Sequence, residues 1–142
     1  MTTDNRQAHQ VLMMRRKLID LWKTARNPEK GKPTGQRGTY IKCYNTHYAD
    51  ESQWTVAVKY HNTNVVTYDG QGNVLLNHGG YRTRTTKARI NQYSPHGIEV
   101  YQKDFEWYVR DTRFRPQSRV FSEYGTKHLC FPYYDPHGRV VA

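Results

Sequence analysis

The sequence predicts an α+β domain, and three observations carry that reading. Residues 9–26 hold apolar side chains at helical spacing, the period switches to two at Thr39, and turn residues punctuate short alternating runs thereafter. The expected architecture is an amino-terminal amphipathic helix, an antiparallel β-sheet of about five to seven strands, and a short helix after the turn GGYRTRTTK at residues 79–87. A chain of 142 residues suits a single domain over 1–142. Within it, residues 1–8 are expected to fray, 9–26 to form the helix, 27–38 a loop, and 39–142 a sheet-rich body.

In the first helix Val11, Met14, Leu18, Leu21, Trp22 and Ala25 recur every three or four residues, with Arg15, Arg16, Lys17, Lys23 and Arg26 beside them. Residues 27–38 (NPEKGKPTGQRG) have no periodicity and read as a loop. Strands are expected at Thr39–Tyr44, Trp54–Tyr60, Asn64–Tyr68 and Asn73–Leu76. The last two flank Asp69-Gly70-Gln71-Gly72, a hairpin signal because glycine accepts positive φ, so these strands should form a meander. Thr85–Tyr93 should be helical, capped by Thr85 or Thr86 and ended by Pro95 and Gly97. A second hairpin is expected from Ile98–Gln102 and Phe105–Arg110, turning at Lys103-Asp104, with Val100, Phe105, Trp107 and Val109 as core or face positions. Arg119–Ser122 and His128–Tyr134 read as the last strands, the final one at an edge because Pro132 cannot donate to a ladder.

The formal net charge is +10. Such a field draws polyanions and small phosphorylated ligands alike, so charge alone does not separate nucleic acid from a nucleotide as the partner. The two cysteines, Cys43 and Cys130, lack metal-ligand spacing and read as free thiols of a reducing cytoplasm. No apolar run is long enough to span a membrane, and the first ten residues do not resemble a signal peptide.

An enzyme should show a nucleophile beside a base, a carboxylate pair or a metal cluster. The seven histidines, His9, His47, His61, His78, His96, His128 and His137, form no recognisable set, and each reads as a surface residue near a turn. No GxSxG occurs. The expectation is a non-catalytic protein with no metal and no cofactor.

Binding chemistry concentrates at Gly79–Asn91. Thr85, Thr86 and Lys87 supply hydroxyl and backbone donors near a helix start, where unpaired N–H groups and the helix dipole favour an anion, and Thr83 joins them as a candidate ligand residue. Arg82, Arg84, Lys87 and Arg89 add charge, and an arginine can grip phosphate with two donors at once. Tyr81 offers a flat face to a base. A phosphate-bearing nucleotide is the ligand this combination suits.

The runs VKYHNTNVVTYD, NVLLNHGGYRTRTTKARINQY and GIEVYQKDFEWYV resemble a family of small phage proteins, the Thoeris anti-defence family of the first type. The resemblance covers roughly residues 54–110. It implies a sponge that sequesters cyclic ADP-ribose isomers, and in some members CBASS cyclic di- or trinucleotides, in the cytoplasm of an infected bacterium. The family's ligand-facing aromatic falls on Tyr81 and its amide on Asn91, with Arg82, Arg84, Arg89 and Arg110 as candidate pocket arginines. A second site for cyclic oligonucleotides would draw on Arg15, Lys23 or Arg26 of the first helix. Homo-oligomers are implied, dimers or hexamers. The alternative is a basic phage protein that binds single-stranded or duplex nucleic acid.

Overall fold

The computed structural model describes residues 3–114, 116–121 and 128–134, with side chains from His9 onward. Its elements run α1 (Thr3–Trp22), β1 (Lys32–Pro33), β2 (Thr39–Tyr44), β3 (Thr55–Tyr60), β4 (Thr63–Tyr68), β5 (Asn73–Asn77), α2 (Arg84–Tyr93), β6 (Ile98–Lys103), β7 (Glu106–Asp111), β8 (Gln117–Val120) and β9 (His128–Pro132). The class is α+β, as expected. The strands divide into two antiparallel sheets, one of six in the order β1-β2-β3-β4-β5-β9 and one of three in the order β6-β7-β8. The larger sheet falls within the expected five to seven strands. The smaller one was not separable from it by periodicity, which reports faces and not partners. Pro132 sits on edge strand β9, where its missing N–H costs no ladder bond.

Alternation sorts the large sheet into two faces. On β2 the residues Thr39, Ile41 and Cys43 are buried while Tyr40, Lys42 and Tyr44 are partly exposed. Registry carries the inner face across Val56, Val58, Val66, Tyr68, Val74, Leu76, Leu129 and Phe131, all in one core. That core also takes Val11, Leu18 and Ile19 from α1, Ile90 from α2, and Val100, Trp107 and Val109 from the small sheet. Each such side chain contributes about 1.5–3 kcal/mol by leaving water.

Helix α1 begins at Thr3, within the stretch expected to fray, and ends at Trp22 instead of Arg26. Its buried stripe is Val11, Arg15, Leu18 and Ile19, rotated from the expected one, so that Leu21 is 40% exposed. Leu12 and Met13 accompany it outward at 39% and 58%. The hairpin at Asp69 forms as read: its Oδ1 accepts from the amides of Gln71 at 2.9 Å and Asn73 at 2.8 Å.

Three local expectations are corrected. Thr83, not Thr85 or Thr86, caps α2, its Oγ1 accepting from the Thr86 amide at 3.1 Å. The β6–β7 turn is Asp104-Phe105, both at positive φ (52° and 65°), which leaves Phe105 88% exposed and not in the core. Buried His78, 1% exposed, is no surface histidine. Ser122 and His137, which figure in the sequence reading, lie outside the described residues.

Candidate functional site

The cleft nearest the GGYRT turn is built by two chain reversals. The strands β3 and β4 are joined by His61-Asn62, with His61 at φ 53°. Opposite it, residues 77–81 fold back on themselves: Asn77 Oδ1 accepts from the Gly79 amide at 2.7 Å, His78 Nδ1 from the Gly80 amide at 3.0 Å, and the His78 carbonyl from the Tyr81 amide at 2.9 Å. All three amides are therefore spent inside the turn, and it forms no anion-binding nest. Gly79, at φ +64°, lies so close to Thr63 that a Cβ there would overlap the Thr63 hydroxyl. This contact sets the width of the cleft.

The cleft encloses about 490 Å³, within the range of small-molecule sites. Tyr60, His61, Asn62, Thr63 and Val65 form one wall. His78, Tyr81, Thr83 and Thr86 form the other. His78 packs at the base, 4.5 Å from the Phe121 ring and edge-on to Trp107 at 5.9 Å. Tyr81 stands on the rim, 69% exposed. Thr83 and Thr86 share a hydroxyl contact at 2.9 Å, which fixes two polar oxygens at the mouth of α2.

Of the residues singled out from the sequence, Tyr81, Thr83 and Thr86 meet in this cleft. The cations do not line it. Arg82 pairs with Glu106 at 2.8 Å. Arg84 and Thr85 are exposed on the first turn of α2. The Lys87 ammonium lies 5.8 Å from the Trp107 ring centre. Arg89 donates to Thr39 Oγ1 at 3.1 Å and stands 5.8 Å from the Tyr60 ring, so it borders the cleft behind Tyr60. Asn91 is turned the other way: its Nδ2 donates to the Val100 carbonyl at 3.0 Å and its Oδ1 accepts from the Val100 amide at 2.7 Å. Asn91 and Arg110 line a separate hollow of about 670 Å³, and Asn91 lies on α2 about 10 Å along the helix from its first residue, Arg84. Arg110 stacks over Tyr101 at 4.5 Å.

Two cations of the expected second set, Arg15 and Lys23, are taken up by contacts to Glu51. Arg15 is 8% exposed, and its Nη2 donates to the carbonyls of Glu51 at 2.8 Å, Ser52 at 3.3 Å and Trp54 at 2.6 Å. Lys23 pairs with Glu51 at 2.9 Å, and Arg16 shares the same carboxylate at 3.0 Å. The Lys23 hydrogen bond, followed by the two positive charges, holds the Glu51 carboxyl below the usual range. Arg26 is exposed.

Sequence reasoning missed Tyr60, His61, Asn62, Thr63 and His78. The signal available was the sequence YHNT between two alternating runs, a tight-turn composition. Nothing local showed that this turn abuts Gly79, since that is a tertiary contact. Among the described residues no group of three or more His, Cys, Asp or Glu side chains is placed to hold a metal ion, and no helix is long and apolar enough to cross a membrane.

No curated protein and no solved structure matches the chain. A family model, that of the Kyanoviridae Gp96 protein, matches residues 34–128. The matched stretch takes in both walls of the cleft and all of α2. It spans more than half of the chain, and the protein therefore belongs to the Kyanoviridae Gp96 family, a phage protein family.

Proposed function

We propose that this phage protein captures a small nucleotide in the cleft between His61 and Tyr81 and holds it without turnover, the ligand being a cyclic ADP-ribose isomer. The observation that carries the reading is the rim position of Tyr81, 69% exposed above a cleft of about 490 Å³ lined by hydroxyls, imidazoles and an amide. An exposed tyrosine above a polar hollow offers a stacking face for adenine. Thr63, Thr83 and Thr86 offer hydroxyl partners for ribose and phosphate oxygens. A net charge of +10 enriches anions at the surface, and Arg89 adds a cation at the border.

Such a sponge acts in the cytoplasm of the infected host as a homo-oligomer. The unpartnered apolar side chains of Leu12, Met13 and Leu21 on α1 support association between copies. CBASS cyclic di- and trinucleotides are further ligands of the same reading.

Calorimetric titration with a cyclic ADP-ribose isomer at physiological salt tests it, followed by heating to recover the ligand. Saturable binding with intact ligand released is expected. Tyr81→Ala should weaken binding by about 1–3 kcal/mol, the range for one base stacked on an aromatic ring. Normal binding by a folded Tyr81→Ala variant would remove the cleft from consideration, and release of linear ADP-ribose would make the protein an enzyme.

A further inference from the structure

The outer face of the six-stranded sheet lies opposite the core that the described helices and small sheet share. Both helices and the small sheet share the core of the inner face, through Leu18, Ile90 and Val109. Directly paired residues of an antiparallel ladder project on the same side. Tyr40 pairs with Lys59, Lys42 with Ala57, and Tyr44 with Thr55. The row through Ala57 continues to Thr67, Leu75 and Cys130. None of the described residues that registry places on this face is acidic.

Two of its tyrosines stand with a lysine over the ring. The Lys42 ammonium is 5.4 Å from the centre of Tyr44, and Lys30, reaching in from the loop before β1, is 5.7 Å from Tyr40. Tyr44 is also fixed in place, its hydroxyl accepting from Asn64 Nδ2 at 3.3 Å. Ala57, at the middle of the face, is fully buried. Tyr40, Lys42, Tyr44 and Lys59 are each partly exposed. Tyr40 and Tyr44 are four residues apart on one strand, about 13 Å.

We propose that this face binds single-stranded nucleic acid, with Tyr40 and Tyr44 stacking bases and Lys30, Lys42 and Lys59 meeting phosphates. Aromatic rings interleaved with cations on an open sheet are what unpaired bases and their backbone require. A duplex keeps its bases stacked inside and offers these rings nothing. The absence of acidic side chains supplies the charge complementarity. The proposal is independent of the Tyr81 cleft, which lies on the β3–β4 turn and α2.

Fluorescence anisotropy of the full-length protein with labelled oligothymidylate and oligouridylate, across a salt series, tests it. The expected slope of log affinity against log salt is about −2, since three neutralised phosphates of a single strand contribute about 0.7 each. Lys42→Gln and Lys59→Gln should each reduce the slope by about 0.7. Tyr40→Ala should weaken binding about 5- to 150-fold, the range of one lost base stack. The lysine variants guard against misfolding of the tyrosine variant. Tyr81→Ala should bind the oligonucleotide as the wild type does. Loss of oligonucleotide binding on Tyr81→Ala, equal affinity for a duplex, displacement by anionic vesicles, or indifference to both lysine substitutions would each overturn the proposal.

Discussion

Asn91 closes the open edge of the small sheet by pairing with the backbone of Val100 on both sides, donating at 3.0 Å and accepting at 2.7 Å. Strand β6 is an outer strand of its sheet, so the Val100 N–H and C=O point away from β7 and need a partner. A carboxamide on α2 supplies both bonds and locks the helix to that sheet. Asn91→Ala should therefore lower stability by about 1–3 kcal/mol, the cost of two polar groups left without partners. Asn91→Asp keeps the acceptor and loses the donor, and should fall between. Urea denaturation of the three proteins measures this. An unchanged midpoint for Asn91→Ala, with nucleotide binding lost, would instead make Asn91 a ligand residue.

Gly79 and Thr63 set the width of the cleft, and the two glycines of the turn are not equivalent. Both have positive φ, +64° at Gly79 and +88° at Gly80, but a Cβ at Gly80 meets nothing within 4 Å. Gly80→Ala should cost only the backbone term, about 1 kcal/mol. Gly79→Ala adds an overlap with the Thr63 side chain and should cost about 1–3 kcal/mol more, in the range of overpacking. Combining it with Thr63→Ala should restore most of the steric part and leave the backbone part. A double variant as unstable as Gly79→Ala alone would show that Thr63 does not set the spacing.

Glu51, just before β3, pairs with Arg16 on α1 and with Lys23 immediately past the helix's last residue, Trp22. Its carboxyl is held below the ordinary value near 4.3 by the Lys23 hydrogen bond first and by the neighbouring charges. A carboxyl with a depressed folded value contributes its stability fully above the ordinary value and loses it as pH falls through the folded one. The melting temperature of Glu51→Gln should therefore lie below the wild type at neutral pH, with the gap closing under acid conditions below pH 4. A gap constant across that range would show that the ion pairs contribute nothing.

Much of this architecture was legible because it depends on period and turn chemistry. Strand β2 was read with its observed bounds, and Asp69-Gly70-Gln71-Gly72 announced its own hairpin. The cap of α2 falls on Thr83 and not on Thr85 or Thr86 because three threonines near one helix start are equivalent in sequence; only backbone geometry chooses among them. The burial of Arg15 is illegible in sequence for a different reason. A cation inside an apolar stripe is normally solvated, and its burial depends on three carbonyls that arrive from residues 51–54. The candidate site was half legible. Tyr81, Thr83 and Thr86 converge, whereas the neighbouring arginines turn to Glu106, Thr39 and Tyr101. Charge density in sequence reports supply, and side-chain partners decide where it goes.

Cys43 and Cys130 offer a chemical check on the two faces of the large sheet. Cys43 lies on the inner face, and burial pushes its thiol up to about 12. Cys130 projects outward on edge strand β9 and is exposed, its thiol raised more modestly by burial and then by the Asp69 charge. Alkylation requires the thiolate and an open approach. At pH 8 the Cys43 thiol stays protonated, and the core excludes the reagent as well. Iodoacetamide should place one adduct per native chain, at Cys130, and a second at Cys43 only after unfolding in urea. Peptide mapping by mass spectrometry distinguishes the two sites. Labelling of both at similar rates in the native protein would mean that the inner face of β2 opens readily, and the assignment of inner and outer faces, on which the open tyrosine–lysine surface depends, would fail with it.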